Sequence, residues 1–277
     1  MQMKFVDVGG VMTRCIEAGE KGAPPLILVH GISITSDLWL RNIDALGQDF
    51  HVVAADMLGH GFTCPRDPGT PVTVQDKIDH LLGVADAYGF DRFAISGSSY
   101  GGLISANVYL QAPERFTKLI INGSGSSFNT EAQLAGFVEK IYTSYKPVLT
   151  SLSPEGWGKL LEGTFHDPAS IPRELTVLLS LCYAQPWAAG CWEQTIATMR
   201  DMERFRPYRI LERLQDIAVP TLVVWGLQDR GGVFDQAIAA VSEMPDASLE
   251  AIDNCGHLPM AEHPDQYNNI ARAFLLK

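Results

Sequence analysis

Short, almost wholly apolar runs alternate along this chain with longer segments whose apolar residues return every three or four positions. Leu26–Val29, Val52–Ala55, Phe93–Ser96, Leu119–Asn122, Thr221–Trp225 and Leu249–Ile252 are the runs, and Met12–Glu17 is a further strand before them. Apolar runs of this length, without a polar alternate, suit strands buried on both faces. Val74, Ile78, Leu81, Leu82, Ala85 and Tyr88 form one amphipathic helical face. Tyr100–Gln111 reads as a second helix, stopped by Pro113, and Pro264–Leu275 as a last one with proline in its first turn. Buried strands alternating with helices give an α/β fold with a mostly parallel sheet.

From residue 126 to 207 the rhythm breaks. No strand pattern occurs there, the segment reads as helical, and it holds Trp157, Trp187 and Trp192. Some eighty residues between two strands are too many for a crossover loop. The expected organisation is therefore a core of residues 1–125 and 208–277 with an inserted helical subdomain, 126–207.

Composition narrows the partners. With 21 Lys+Arg against 32 Asp+Glu the net charge is −11, and no basic cluster occurs, so nucleic acid and anionic membrane surfaces are poor partners. The opening MQMKFVDVGG lacks the apolar core of an export signal, and the apolar stretch Val177–Ala184 is far too short to span a bilayer. Five cysteines, an odd number without a CxxC pair, fit reduced thiols in a cytoplasm. Self-association into a homo-oligomer is left open.

Gly97-Ser98-Ser99-Tyr100-Gly101 matches G-x-S-x-G and stands between an apolar strand and a helix. That context makes a sharp turn presenting a serine nucleophile at a helix N-terminus. Ser98 is a rival, but only Ser99 has both glycines in register. A serine needs a base. Of seven histidines, His257 follows the last strand, where its loop emerges beside the elbow. His263 falls at the start of the final helix, and His30 and His60 read as structural. The carboxylate that orients the imidazole is expected to be Asp229, past the strand Thr221–Trp225, with Asp235 and Asp253 as alternatives. The backbone N–H groups of Ile32 and Tyr100 are the expected oxyanion donors.

These pieces together resemble the α/β-hydrolase superfamily: LILVHG (26–31), DMLGHG (56–61), GSSYGG (97–102), PERF (113–116), PTLVVWGLQD (220–229) and GHLPMAEHP (256–264). The resemblance implies an eight-stranded, mostly parallel sheet flanked by helices, a helical cap at the insertion, no cofactor and no metal. VGGVMTRCIEAG (8–19) and DMLGHGFT (56–63) are similar to the carbon–carbon bond hydrolases of meta-cleavage products. Those enzymes carry Asn where this chain has Ser98 and Trp where it has Leu258; Arg173 and Arg200 are loose candidates for their cap arginine. Serine at the elbow speaks against dehalogenases and epoxide hydrolases of this fold, which use aspartate. The expected activity is hydrolysis of an ester or lactone through an acyl-enzyme on Ser99, with carbon–carbon cleavage as the alternative. A ligand sensor on the same scaffold is a third reading, of a different class. The aromatic insertion suits a small, mostly apolar substrate, with Ser33, Ser98, Trp187 and Leu258 as candidate pocket residues.

Overall fold

A computed structural model describes residues 1–67 and 69–277. Eight strands form one sheet: β1 (Gln2–Val8), β2 (Val11–Ala18), β3 (Pro25–Val29), β4 (His51–Ala55), β5 (Phe93–Ser98), β6 (Phe116–Asn122), β7 (Thr221–Gly226) and β8 (Ala247–Ile252). Their order is β1-β2-β4-β3-β5-β6-β7-β8. Strand β2 is antiparallel to both β1 and β4, and every other pairing is parallel.

Among the described residues twelve α-helices accompany the sheet: α1 (Ile43–Leu46), α2 (Val74–Ala87), α3 (Tyr100–Gln111), α4 (Gly125–Phe128), α5 (Glu131–Ser151), α6 (Pro154–Leu161), α7 (Arg173–Tyr183), α8 (Ala188–Arg200), α9 (Met202–Phe205), α10 (Phe234–Glu243), α11 (Pro259–Glu262) and α12 (Pro264–Leu275). Thr73 and Asp76 start α2 with a capping box, which satisfies two otherwise orphaned N–H groups. Alternate side chains of β5 show that helices cover both faces of the sheet. Ser96 Oγ meets the hydroxyl of Tyr267 on α12 at 3.0 Å. The next residue, Gly97, lies instead against Gly101 and Ser105 of α3.

The central strands β4, β5 and β7 are buried at every position, which is why they read as unbroken apolar runs. Edge strand β1 was not foreseen; its Met3 and Phe5 are about half exposed, so no buried run announces it. Between β6 and β7 the described chain forms helices α4 to α9. Among the described residues no helix is long and apolar enough to cross a membrane.

Candidate active site

The loops after β3, β5, β7 and β8 all leave the same edge of the sheet, because these strands run parallel. Ser99 follows β5 and is the N-cap of α3, with φ 52° and ψ −119°. A side chain seldom adopts positive φ, so this turn stores strain. Two glycines make the turn feasible. A Cβ at Gly97 would lie 2.2 Å from the Gly101 carbonyl oxygen, and one at Gly101 would lie 2.3 Å from that of His30. Strand and helix thus cross at backbone contact, which is the physical content of the glycine spacing. The Ser99 N–H donates to the Asn122 carbonyl (2.8 Å), and Ser124 Oγ donates to the Ser99 carbonyl (2.6 Å).

His257, after β8, and Asp229, after β7, come together. The His257 Nδ1–H lies 2.9 Å from both Asp229 carboxylate oxygens. The Asp229 side chain is wholly buried, and its Oδ1 also accepts from the Gly231 N–H (2.6 Å). Burial pushes the His257 pKa down, but the charge and hydrogen bond of Asp229, with a further contribution from Glu262, leave it above the ordinary imidazole value. With Nδ1 engaged, Nε2 is the nitrogen left to exchange a proton. Ser99 and His257 line the same cavity. Asp235 is already inside α10, and Asp253 is taken up by Gln228 and Asn254.

Ile32 stands in the loop after β3 and also lines the cavity. A Cβ at Gly31 would lie 3.4 Å from Ser99 Cβ, so this loop runs directly against the serine. Among the described residues the Ile32 N–H meets no protein acceptor. Tyr100 is the first residue of α3, where an N–H has no partner within its helix.

Apart from Ser99 and His257, the cavity wall nearest the loops is Ile32, Ser33, Ile34 and Leu258; the opposite wall comes from α5 and α6. Phe137, Lys140, Ile141, Ser144 and Tyr145 recur at helical spacing, so they form one face of α5. Of the residues expected in the pocket, Ser33 and Leu258 line it. Ser98 does not: its side chain is fully buried, and among the described residues its hydroxyl has no partner. Trp187 is half-buried at the start of α8, outside the lining. Trp192 reaches the site instead, donating from Nε1 to Ser33 Oγ (2.8 Å). Arg173 and Arg200 are absent from the lining, and Arg200 is exposed and paired with Glu139 at 3.0 Å. Two other cations, Lys140 and Arg230, are exposed and line the mouth, where among the described residues no carboxylate does. Sequence reasoning missed both. Arg230 directly follows Asp229, a position that could have marked it.

The segment between α6 and α7 is tied to the histidine loop. The His257 N–H donates to the Thr164 carbonyl (2.9 Å), and the His166 N–H donates to Glu262 Oε2 (2.7 Å).

The sheet topology and the strand–serine–helix turn are those of the α/β-hydrolase fold, and residues 26–270 match the model of the Alpha/beta hydrolase family; the chain belongs to that family and is a hydrolase. It is 29% identical to a 2-hydroxy-6-oxo-6-(2'-aminophenyl)hexa-2,4-dienoic acid hydrolase of Metapseudomonas resinovorans, over 98% of this chain and 90% of that protein. It is 26% identical to the carboxylesterase YbfK of Bacillus subtilis, over 95% and 84% respectively. Its fold superposes on a 2-hydroxy-6-oxo-6-phenylhexa-2,4-dienoate hydrolase from Rhodococcus with a TM-score of 0.83 at 22% identity, covering 100% of this chain and 99% of that one.

Proposed function

We propose that this protein is a cofactor-free serine hydrolase that cleaves a carboxylic ester or lactone of a small, mostly apolar substrate. The observation that carries the reading is the sharing of one cavity by Ser99, strained at a helix N-terminus, and His257, whose Nδ1 is bound to buried Asp229. In this account Ser99 Oγ attacks the acyl carbon as His257 Nε2 takes its proton. Asp229 fixes the tautomer and stabilises the imidazolium. The oxyanion is received by the N–H groups of Ile32 and Tyr100. As the tetrahedral adduct collapses, Nε2 returns the proton to the leaving alkoxide. Water, deprotonated by the same nitrogen, then attacks the acyl carbon; the second adduct collapses to the acid as the bond to Ser99 Oγ breaks and Nε2 returns the proton to it.

The apolar wall of Ile32, Ile34, Ile141, Leu160, Leu161 and Leu258 suits an alkyl or aryl acyl group. The carboxylesterase relative supports this reading. Helices α4 to α9 would act as a cap over the site, and the five unpaired cysteines fit a cytoplasmic location.

A second reading is carbon–carbon bond hydrolysis of a dienoate. Lys140 and Arg230 at the mouth favour it, since a carboxylate-bearing substrate needs cationic partners, and the relative from Metapseudomonas is named for such a reaction. It requires the dienol to be ketonised first, so that the carbon departs as a stabilised enolate, and Ser98 and Leu258 offer that group little polar support.

A side-by-side assay of p-nitrophenyl esters, lactones and a phenyl-substituted meta-cleavage product tests the choice. The ester reading requires kcat/KM at least about tenfold lower on the ring-cleavage product, roughly 1.4 kcal/mol of transition-state stabilisation. The reverse order makes the second reading correct.

A further inference from the structure

The Gly31 carbonyl and the Ile32 N–H belong to one peptide group, so whatever holds the carbonyl also aims the N–H. The Gly31 carbonyl oxygen lies 2.7 Å from His30 Nδ1. The direction of this bond is settled by the other side of the ring. The Met57 N–H donates to His30 Nε2 at 2.9 Å, so Nε2 carries the lone pair and the ring proton is on Nδ1. The following carbonyl, that of Ile32, is 2.9 Å from His60 Nε2, while His60 Nδ1 is 3.3 Å from the Leu58 carbonyl. A neutral ring has one proton, and the shorter contact takes it, so His60 donates to Ile32. The rings stand 5.1 Å apart. Both are buried, and burial holds both below the ordinary imidazole pKa, so each is neutral near pH 7.

Two consecutive peptide groups of the loop beside Ser99 are therefore each held by a buried imidazole. We propose that His30 is a positioning residue for the oxyanion hole: its Nδ1–H fixes and polarises the Gly31–Ile32 peptide so that the Ile32 N–H is aimed at the reacting oxygen, with His60 holding the next peptide. The inference rests on the reading that Ile32 supplies an oxyanion donor. A donor on a carbonyl strengthens the N–H of the same amide, since chained hydrogen bonds polarise one another. Preorganisation matters because the donor must already point to where charge will develop.

The test compares His30→Asn with His30→Ala in the full chain. Asparagine can present Nδ2–H to the Gly31 carbonyl; alanine cannot. Three quantities are read: kcat and KM on p-nitrophenyl butyrate, the inhibition constant of phenylboronic acid, whose tetrahedral adduct places an oxygen in the oxyanion site, and Tm. The expected result for His30→Ala is a fall in kcat of about tenfold to a hundredfold with KM within threefold. Boronate affinity should weaken by a similar factor, and His30→Asn should regain most of both. A purely structural role would lower Tm in both variants while leaving kcat per titrated serine and boronate affinity unchanged, and that result overturns the proposal. Equal losses in the two variants overturn it as well. If His30→Ala does not fold, His30→Asn decides alone: kcat more than tenfold below wild type is contrary, and kcat within threefold is in accord. A wild-type protein that hydrolyses no ester and takes no boronate overturns the functional reading along with it. An active wild type matched by an equally active His30→Ala removes only the role given to His30.

Discussion

His257 Nδ1 stands 2.9 Å from each oxygen of the Asp229 carboxylate, and that carboxylate is wholly buried. A buried charge facing a single ring fixes its tautomer. Asp229→Asn would keep the shape and lose the charge, and its amide can orient the ring wrongly. The expected outcome is a fall in kcat of about 10³- to 10⁴-fold with the fold retained. Steady-state kinetics beside circular dichroism checks it, and a loss under tenfold would disagree.

The same pair sets the pH dependence. Only neutral His257 can accept the serine proton, so activity falls as pH drops through its pKa. Burial lowers that pKa, but Asp229 and then Glu262 outweigh it and leave it raised. The acid limb of kcat/KM should therefore have its midpoint above about 6.5, the unperturbed imidazole value. Removing the Glu262 charge, in Glu262→Gln, should move the midpoint to lower pH. A midpoint that stays in place or rises would contradict the assignment.

The strained backbone at Ser99 separates stability from activity. Ser99→Ala and Ser99→Gly should both lose turnover by several orders of magnitude. At φ 52° and ψ −119°, glycine is at ease and alanine is not. The glycine variant should melt a few degrees above the alanine variant, in keeping with about 1 kcal/mol in a chain of this size. Identical melting temperatures would mean that the turn holds no such strain.

The strand–turn–helix order was legible because β3 to β7 are buried through much of their length and their sequences stay apolar. Ser99 and Asp229 were expected in the site because each lies just past such a run; His257 follows β8, an edge strand exposed at several positions, and it is the parallel pairing of β7 and β8 that brings its loop to the same edge. Side chains of the helical insertion offered no such rule. Which face of α5 or α8 meets the site depends on tertiary packing, so Trp187 was expected in the cavity, while Phe137 and Tyr145 are the aromatic residues that line it and Trp192 only backs the lining residue Ser33. Ser98, one residue from the elbow serine, is buried at the end of β5 away from the lining. Lys140 stayed hidden for the same reason, being on α5, whereas Arg230 could have been marked by its place directly after Asp229.

Those cations carry a substrate prediction. Lys140→Gln and Arg230→Gln should each raise KM about threefold to tenfold for an ester with a terminal carboxylate on its acyl chain. The neutral ester of equal length should change little. The difference should shrink at high salt, because both side chains are exposed. Equal effects on both esters would show that the cations do not read substrate charge.

Beneath the loops, Arg14 on β2 makes two hydrogen bonds to Asp37, at 2.8 and 2.5 Å, and lies 3.4 Å from Asp56, all three being buried. Asp56 in turn accepts from the N–H and hydroxyl of Ser36 and from the Phe62 N–H. Arg14→Met leaves two buried carboxylates without their cation, so urea unfolding should show a loss of about 3–5 kcal/mol. A loss below 1 kcal/mol would mean that the carboxylates find other compensation.

Trapping the covalent intermediate tests the proposed chemistry at its source. Acid quenching during turnover of a slowly deacylating p-nitrophenyl ester, followed by mass spectrometry of the digested protein, reports which residue carries the acyl group. The expected result is a mass increase equal to that group on the peptide containing Ser99, absent from Ser99→Ala, which also shows no turnover. Acylation of another residue, or undiminished ester hydrolysis by Ser99→Ala, would contradict the account.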